Sequence, residues 1–495
     1  MSIRLSSPPG RWVLLATVLG SGVAMLDATV VNVALPSLAR DLGASMAGLQ
    51  WTVNAYALTL AGLILLGGSL GDRFGRRKMF VIGVIWFAAA SILCGAAQSI
   101  PMLVAARALQ GVGGALLTPG SLAIIQASFA PEDRAQAVGA WSGLGGIAGA
   151  AGPFLGGWLV STAGWRWVFL LNVPLAVVVV LVAVRHVPES VNPQAHGRFD
   201  VLGAVLAATG LAGVAYALTE APQGSGDFAL VVAAAVAGIA AFTAFILVER
   251  RRARTGDPQP MLPLEVFRSR QFSAVNIVTF VVYGGMSVMF FLLVVDLQVV
   301  AGFSPIKAGT ALLPVTVLLL LLSARAGALA QRIGPRLPMA IGLVMAAAGM
   351  LLISRIGPHA SYLRNVLPAV TLFGLGLAGV IAPLTATVLA SAEVRHAGIA
   401  SGVNNAVARA AGLLAVAAVP PLAGLTGDAY SNPALFATGF RTSLTVSAVC
   451  LLAGAGLTLL TVRDDALRVS PAEAAPQCKS HCAVGAPPLE PSHEV

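Results

Sequence analysis

Long apolar segments follow one another along almost the whole of this 495-residue chain, and they restrict its fold more than any other feature. A helix needs about 20 apolar residues to cross the ~30 Å hydrocarbon core of a bilayer. Segments of that length recur between Trp12 and Val462. We therefore predict an all-α polytopic membrane protein with fourteen transmembrane helices, at residues 12–36, 48–70, 79–98, 101–125, 138–160, 166–186, 200–219, 228–248, 272–297, 308–330, 337–356, 365–390, 398–421 and 438–462.

The charged residues are few and unevenly placed. They make up 10% of the chain, whereas a soluble domain carries about 25%. The net charge of +10 would by itself suggest a nucleic-acid partner. However, when loops are assigned alternately to the two sides, most Lys and Arg residues fall on the side of the N-terminus. This asymmetry predicts that both termini are cytoplasmic, and we expect no nucleic-acid partner. The densest basic segment, ERRRARTGDPQP at 249–260, is interpreted as a topology anchor that contacts anionic lipid.

The chain contains a weak internal sequence repeat. GSLGDRFGRR at 68–77 has a degenerate counterpart, GALAQRIGPR, at 327–336. The two copies follow predicted helices 2 and 10, whereas two plain six-helix halves would separate them by six helices. We infer that helices 200–219 and 228–248 are inserted between the halves. The predicted units are a cytoplasmic N-terminus at 1–11, a six-helix bundle at 12–186, the inserted pair with its basic loop at 187–271, a second six-helix bundle at 272–462, and a disordered cytoplasmic tail at 463–495.

The tail contains CKSHC, in which Cys478, His481 and Cys482 stand close together. Three ligands are too few for a closed structural zinc site, which takes four. We therefore predict no bound metal and no cofactor.

Two acidic residues, Asp27 and Asp296, lie inside predicted spans. A charge at the centre of a membrane helix costs about 2.5–3.5 kcal/mol on insertion scales, so an intramembrane acid is a functional hypothesis by default. For Asp27 we favour proton or cation coupling over the alternative, a permanent ion pair with the intramembrane Arg107. For Asp296, which lies towards the outer end of its predicted helix, a coupling role and a structural role remain equally open.

A third intramembrane cation, Arg409, stands near Asn404 and Asn405 in the second half. An arginine within a span normally faces the bundle interior or a water-filled cavity. It could line a substrate cavity or pair with Asp296, and the sequence leaves both alternatives open.

Two motifs are rich in glycine. In GDRFG, Gly75 permits a tight turn, while Asp72 can cap a helix start or pair with a neighbouring arginine. Such a motif can be a latch that breaks and reforms or a plain anchored turn. In GLGGIAGAAGPFLGG at 143–157, small residues let helices approach closely and Pro153 permits a kink, a pattern that alone does not imply a function.

Taken together, six stretches resemble the major facilitator superfamily, and within it the 14-helix drug:proton antiporters. LDATVVNVALP at 26–36 is similar to that group's first-helix motif, with Asp27 at the acidic position. DVLGAVL at 200–206 and WRWVFLLNVP at 165–174 are similar to two further motifs of the group. The other matching positions are Asn32 and Pro36 in helix 1; Gly68, Asp72, Arg73, Gly75 and Arg76 between helices 2 and 3; Arg107, Gln110, Gly111 and Gly113 in helix 4; and Gly152, Pro153, Gly156 and Gly157 in helix 5.

The resemblance implies a function and assigns roles to residues. It implies proton-coupled efflux of drugs or antibiotics by alternating access of two six-helix bundles around a central cavity. Asp27 and Arg107 would carry proton coupling, the 68–76 loop would be a conformational switch, and the Gly152 motif would mark an exporter. Residues that could line the substrate cavity are Asn32, Gln110, Asn404, Asn405 and Arg409. The chain departs from the group's pattern at two positions. Asp296 stands where the group more often has an uncharged residue, so no role is carried onto it from the group. Ala148 stands where the helix 5 motif usually begins with glycine.

Other functional classes fit less well. The three lysines, Lys78, Lys307 and Lys479, all lack the context of a nucleotide-binding P-loop, which excludes an ATP-driven pump within this chain. No metal cluster or nucleophile elbow appears in the spans, so we predict that the protein is not an enzyme. The serious alternative is a dedicated exporter of an endogenous metabolite, such as a self-made antibiotic, a lipid or a siderophore. The arginine-rich, lysine-poor composition suggests a bacterial cell membrane, and we expect a monomer.

Overall fold

The computed structural model describes residues 3–191, 200–223, 228–255, 262, 264–391, 397–429 and 432–464, and within them the chain is helical. The α-helices in chain order are α1 (Pro8–Leu42), α2 (Met46–Phe74), α3 (Arg76–Gly95), α4 (Ile100–Ser128), α5 (Pro131–Thr162), α6 (Arg166–Leu170), α7 (Asn172–His186), α8 (Val201–Glu220), α9 (Phe228–Thr255), α10 (Arg270–Val299), α11 (Pro305–Thr310), α12 (Leu313–Ile333), α13 (Arg336–Ile353), α14 (Leu367–Ala390), α15 (Ala397–Leu422) and α16 (Pro433–Thr461).

Each of the fourteen predicted spans corresponds to helix in the structure, although α3 ends at Gly95 and α13 at Ile353, three residues before the predicted ends. The sixth span consists of α6 and α7, the tenth of α11 and α12, and the twelfth begins in a π-helical turn at Tyr362–Val366 before α14. By length and composition, twelve helices of the described chain can cross a membrane, or thirteen if the bent α2 is one span. The glycine-rich α5 stands outside this set, although its 32 residues extend about 48 Å.

The helices are longer than the predicted spans because their ends continue beyond the apolar segment and are capped. For example, the span predicted at 12–36 is the helix Pro8–Leu42. Ser7 accepts a hydrogen bond from the Gly10 amide at 3.2 Å, and Gly43 ends the helix in the left-handed conformation at φ 64°. These caps satisfy terminal backbone groups that hydropathy does not detect.

The helices pack in two sets with α8 between them. In the first set, α1 packs on α5 while α4 packs on α2 and α3; in the second, α10 packs on α15 and α16 while α13 packs on α14 and α16. The inserted helices α8 and α9 pack on each other, and α8 also contacts α2 and α15. Leu211 and Ala215 of α8 share an apolar cluster with Leu413 and Ala417 of α15. The inserted pair therefore touches both sets of helices.

A cluster of charges joins the two inserted helices at the end where α8 begins. Arg252 of α9 forms an ion pair with Asp200, which caps α8 through the Gly203 amide. Glu249 is fully buried beside them and accepts a hydrogen bond from the Leu262 amide at 2.8 Å. Burial acts to raise the pKa of Asp200, but hydrogen bonds involving Glu249, Arg252 and Gly203 outweigh it, so the pKa is lowered. These contacts hold α8, α9 and the chain leading to α10 together.

The two sets of helices meet where α1 ends and α2 begins. Gln50 of α2 donates to the Val416 carbonyl of α15 at 2.6 Å, and Gln298 of α10 donates to the Val33 carbonyl of α1 at 3.1 Å. A methyl group added at Gly157 of α5 would lie 2.6 Å from Cα of Ile306 in α11. Direct contacts of this kind join the two sets of helices at that end of the bundle.

Candidate functional site

Asp27 is the centre of a buried hydrogen-bond network among α1, α3, α4 and α7. Its carboxylate accepts three bonds: from Arg107 Nη1 at 2.6 Å, Gln110 Nε2 at 2.9 Å and Asn172 Nδ2 at 2.8 Å. Gln110 and Asn172 also donate to the Ser91 hydroxyl, at 2.8 and 3.3 Å. Asp27 is 0% exposed and Arg107 1% exposed. The charge pair is thus enclosed and hydrogen-bonded, as a buried ion pair must be to offset its desolvation.

The guanidinium of Arg107 is held on several sides. Besides its bond to Asp27, it donates from Nε to the Thr52 carbonyl at 3.0 Å and from Nη1 to Gln110 Oε1 at 2.6 Å. The Tyr56 ring lies 4.4 Å from its central carbon, a cation–π distance. Arg107 therefore connects the carboxylate of α1 with the backbone of α2.

These contacts bear on the alternatives that the sequence left open for Asp27. The ion pair with Arg107 is present in the structure, and Arg107 also lines a cavity between the two sets of helices. The structural alternative is therefore present, and a coupling role for Asp27 stays a prediction. Gln110, predicted as a cavity residue, lies instead within the Asp27 network and is fully buried.

The central cavity has a volume of about 430 Å³ and is lined by α1, α2, α4 and α5 on one side and α10, α12 and α15 on the other. Of the residues predicted from the sequence, Asn32, Asn405 and Arg409 line it, together with Pro153 of the glycine-rich helix. Drug-sized ligands occupy pockets of about 300–1,000 Å³. The cavity is therefore large enough for a small organic molecule.

The cavity walls combine aromatic rings with polar atoms that have no protein partner. Tyr56, Tyr283, Phe290 and Phe291 supply the rings. The unpartnered buried atoms are Asn32 Oδ1, both side-chain polar atoms of Asn54, and Arg409 Nε. Such atoms are available to hydrogen-bond a ligand, because an orphaned buried polar atom is costly until it is paired.

Asn404 and Arg409 occupy different environments. Asn404 donates to Thr279 at 2.7 Å and to Asn276 at 3.2 Å, both on α10, and it is not among the residues that line the cavity. Arg409 lines the cavity, while both carboxylate oxygens of Asp296 lack a hydrogen-bond partner within the described part of the chain. Of the two alternatives for Arg409, the structure therefore supports a place in the cavity lining rather than an ion pair with Asp296.

Asp296 lies apart from the Asp27 network. It is on α10, in the other set of helices, and it is 0% exposed and not among the residues that line the cavity. It shares a helix face with Gly285, eleven residues earlier, which packs near Met350 of α13 and Leu451 of α16. The three residues grouped from the sequence as proton-coupling are thus not brought together: Asp27 and Arg107 are paired, and Asp296 is elsewhere.

The loop predicted at 68–76 is almost entirely helical, since α2 runs to Phe74 and α3 begins at Arg76, and Gly75 alone forms the turn between them. An ion pair spans this turn. Arg76 donates to Asp72 from Nε at 2.8 Å, so Asp72 pairs with an arginine and does not cap α3. Gly75 has φ 112°, a conformation that L side chains rarely adopt. The carboxylate that binds the α3 terminus is that of Glu189, which accepts from the amides of Arg77 and Lys78 at 3.0 and 3.1 Å.

Two further details concern the end of α2 that leads into this turn. Gly68 has ordinary space, since an added methyl would lie 3.6 Å from Pro119, whereas an added methyl at Gly67 would overlap the Ala115 carbonyl of α4. Gly67 is therefore the close-packing position. Arg73 lies with its guanidinium carbon 5.9 Å from the Phe74 ring.

The related segment at 327–336 in the second half also has a glycine turn with an acidic residue beside it. Gly334 precedes α13 as Gly75 precedes α3, and it has φ 93°. A methyl group added there would lie 2.6 Å from Oδ1 of Asp464, which follows α16, just as Glu189 follows α7. Each half thus places an acid from its last helix against the glycine that begins its third.

The glycine motif of α5 packs on α1 next to Asp27. A methyl group at Gly152 would overlap the Thr29 side chain and lie 3.3 Å from the Leu26 carbonyl, and one at Gly156 would lie 3.0 Å from the Val30 carbonyl. Thr29 also donates to the Gly149 carbonyl at 3.2 Å. Through Gly157 and Pro153 the same helix touches α11 of the other set. The motif therefore joins the helix that carries Asp27 to the opposite half.

Sequence reasoning missed several residues of the site. Asn172 and Ser91 bind the Asp27 network, while Asn54, Tyr56 and Tyr283 line the cavity. Asn172 stood within WRWVFLLNVP, and a buried amide in a membrane helix was an available signal. The tyrosines gave no such signal, because aromatic residues are common in membrane helices. Cys478, His481 and Cys482 lie outside the described residues.

A two-sided bundle of membrane-crossing helices around a central cavity, with a buried charge pair beside it, defines a membrane transporter rather than an enzyme. The chain belongs to the Major Facilitator Superfamily, whose sequence model matches residues 17–416.

The comparisons give named relatives and a structural neighbour. The chain is 38% identical to the puromycin resistance protein pur8 of Streptomyces alboniger over 83% of this chain and 81% of that protein. It is 34% identical to the tetracenomycin C resistance and export protein of Streptomyces glaucescens, over 85% and 77%. A bacterial homolog of the human lysosomal transporter Spinster, solved in an inward-facing and unoccupied conformation, shares the fold with a TM-score of 0.64 at 20% identity, covering 94% of this chain and 100% of that one.

Proposed function

We propose that this protein exports small organic molecules, antibiotics among them, from a bacterial cell in exchange for protons. The observation that carries the proposal is the Asp27–Arg107 pair, which is enclosed by the protein and borders the central cavity. The relatives named for puromycin resistance and for tetracenomycin C resistance and export support the substrate class.

The proposed coupling begins at Asp27. As a carboxylate it accepts bonds from Arg107, Gln110 and Asn172, which hold α1 against α4 and α7. A proton on Asp27 removes its charge and weakens the bond to Arg107. Because Gly152 and Gly156 pack on the same stretch of α1, the change passes to α5, and through Gly157 to α11 of the other half. Protonation thus biases the equilibrium between the two orientations of the cavity.

The proton gradient supplies the energy, with no cofactor. Each proton that crosses a 100 mV potential supplies about 2.3 kcal/mol. We place both termini in the cytoplasm on the basis of the loop charges, so the end where α1 meets α2 faces outward. Because the two sets of helices touch at that end, we infer that the cavity of this arrangement faces the cytoplasm. We further propose a monomer in contact with anionic lipid, built of bundles at 12–186 and 272–462 with the inserted pair at 187–271.

For Asp296 we propose a secondary role at most. Its burial between helices of one set and its distance from the cavity lining favour an effect on conformation over direct contact with substrate.

Substrate-induced proton release in everted membrane vesicles tests this proposal. We expect tetracenomycin C, for which a relative is named, to dissipate an established pH gradient in vesicles that contain the wild type. Asp27→Asn vesicles, carrying the same amount of inserted protein, should give no response. An unchanged response in Asp27→Asn would contradict the coupling role. A response to a single compound out of a broad panel would favour the dedicated metabolite exporter.

A further inference from the structure

The charge of the central cavity bears on the kind of molecule it can hold. Among the described residues that line it there is no aspartate or glutamate, while two arginines, Arg107 and Arg409, do line it. A cavity that binds cations supplies an acidic group, aligned carbonyl dipoles or aromatic ring faces. The described lining has ring faces but no acidic side chain, and its two formal charges are positive.

The two arginines differ in whether they are neutralised. Arg107 has Asp27 at 2.6 Å, and its Nε and Nη1 atoms are all engaged with protein acceptors. Arg409 has no ion-pair partner among the described residues, and its Nε is buried without a hydrogen-bond partner. The unneutralised positive charge of the cavity is therefore that of Arg409.

Arg409 lies near the middle of α15, which is long and apolar enough to cross a membrane. It is twelve residues after the start of α15 at Ala397 and thirteen before its end at Leu422, which places it about 18–20 Å from either end of the helix. An unpaired charge at such a depth is costly, and electrostatic attraction to a ligand is strong where water is scarce. A ligand that brings a negative charge would remove this cost.

The surroundings of Arg409 suit an aromatic ligand that carries the anionic group. Tyr56, Tyr283, Phe290 and Phe291 offer ring faces within the same cavity, and Asn32 and Asn54 offer unpartnered polar atoms. A guanidinium can bind a carboxylate with two parallel bonds, can donate to the single oxygen of a phenolate, and can also stack on an aromatic plane.

We propose that the preferred substrates are aromatic organic anions, that is, planar molecules with a carboxylate or phenolate group, and that Arg409 is the residue that binds their charge. This inference rests on the proposed export function and narrows its substrate class. It also separates this cavity from that of an exporter of lipophilic cations. An inside-negative membrane potential favours outward movement of such anions by itself.

Two dyes with the same xanthene scaffold and opposite charge test the inference: fluorescein, an anion, and rhodamine 123, a cation. The full-length protein in lipid nanodiscs is titrated against each dye at pH 7.5, and binding is followed by fluorescence anisotropy without any proton gradient. We expect fluorescein to bind at least about tenfold more tightly than rhodamine 123. Arg409→Gln should weaken fluorescein binding by roughly tenfold or more, since a charge-assisted bond is lost.

Two further variants control for charge and for folding. Arg409→Lys keeps the positive charge and should retain most of the preference for the anion, although it loses two-point binding. Arg441→Gln makes the same chemical change at an exposed position outside the cavity lining and should leave both affinities unchanged. The comparison of the two dyes on the wild-type protein requires no variant. A variant that fails to fold therefore cannot affect its result.

Tighter wild-type binding of rhodamine 123 than of fluorescein would overturn the inference, as would fluorescein binding unaffected by Arg409→Gln. Binding of neither dye would overturn it too. None of these results concerns proton coupling, which the vesicle assay decides separately. A protein that exports cations against a proton gradient would refute the anion site and leave the export proposal intact.

Discussion

At the scale of single residues, the account depends on how Asp27 is satisfied. Three donors from α4 and α7 surround its carboxylate, and its charge partner Arg107 is itself tied to the backbone of Thr52. A buried ion pair of this kind contributes little net stability, but removing one partner leaves the other charge uncompensated at a cost of about 3–5 kcal/mol. The structure therefore predicts strong coupling between the two positions.

A double-mutant cycle measures that coupling. Asp27→Asn leaves the buried Arg107 without a counter-charge, and Arg107→Gln leaves the buried carboxylate without one, so each single variant should lower the thermal midpoint of the purified protein. The double variant Asp27→Asn, Arg107→Gln has no buried charge and should be more stable than the sum of the single effects predicts, by about 2–3 kcal/mol. Additive effects would show that the two side chains do not form the pair described here.

At the scale of elements, the α1–α5 contact is set by glycines of unequal importance. Gly152 leaves no room for a side chain against Thr29, while a methyl group at Gly149 would meet nothing within 4 Å. The two positions lie one turn apart on the same helix, three residues from each other, and so provide a matched pair. The sequence motif alone did not distinguish them, because both are glycines in a small-residue run.

We expect Gly152→Ala to reduce substrate-dependent proton release severalfold, because the added methyl separates α5 from the stretch of α1 that carries Asp27. Gly149→Ala should retain nearly wild-type activity. Both variants are compared in the vesicle assay after their membrane content has been matched by immunoblot. Equal loss in the two variants would mean that general helix flexibility, rather than close packing at Thr29, is what the motif provides.

At the scale of the whole molecule, hydropathy was sufficient to predict the class of fold and the positions of the spans. The inserted pair, inferred from the spacing of the two copies at 68–77 and 327–336, stays a prediction. Asp27, Arg107 and Arg409 were predictable as well, because a charge in an apolar span is conspicuous. The helix ends were not, because Ser7 and Gly43 act through local capping.

The direction in which each side chain points, towards the cavity or away from it, could not be predicted either. Asp296 is as conspicuous in the sequence as Asp27, yet it lies away from the cavity lining. Asn172 and Tyr56 join the site only because α7 and α2 fold next to α4. Gly67 rather than Gly68 makes the tight contact with α4, which depends on the rotation of α2 about its axis. Such facts follow from packing between helices distant in the chain, which a sequence pattern does not contain.

The central claim is that Asp27 couples proton movement to transport, and reconstituted proteoliposomes test it most directly. Uptake of a labelled substrate is measured under an imposed pH gradient and, separately, as gradient-independent exchange. The account predicts that the wild type performs both, and that folded, monodisperse Asp27→Asn keeps exchange but loses gradient-driven uptake. Gradient-driven uptake by Asp27→Asn at the wild-type rate would contradict it.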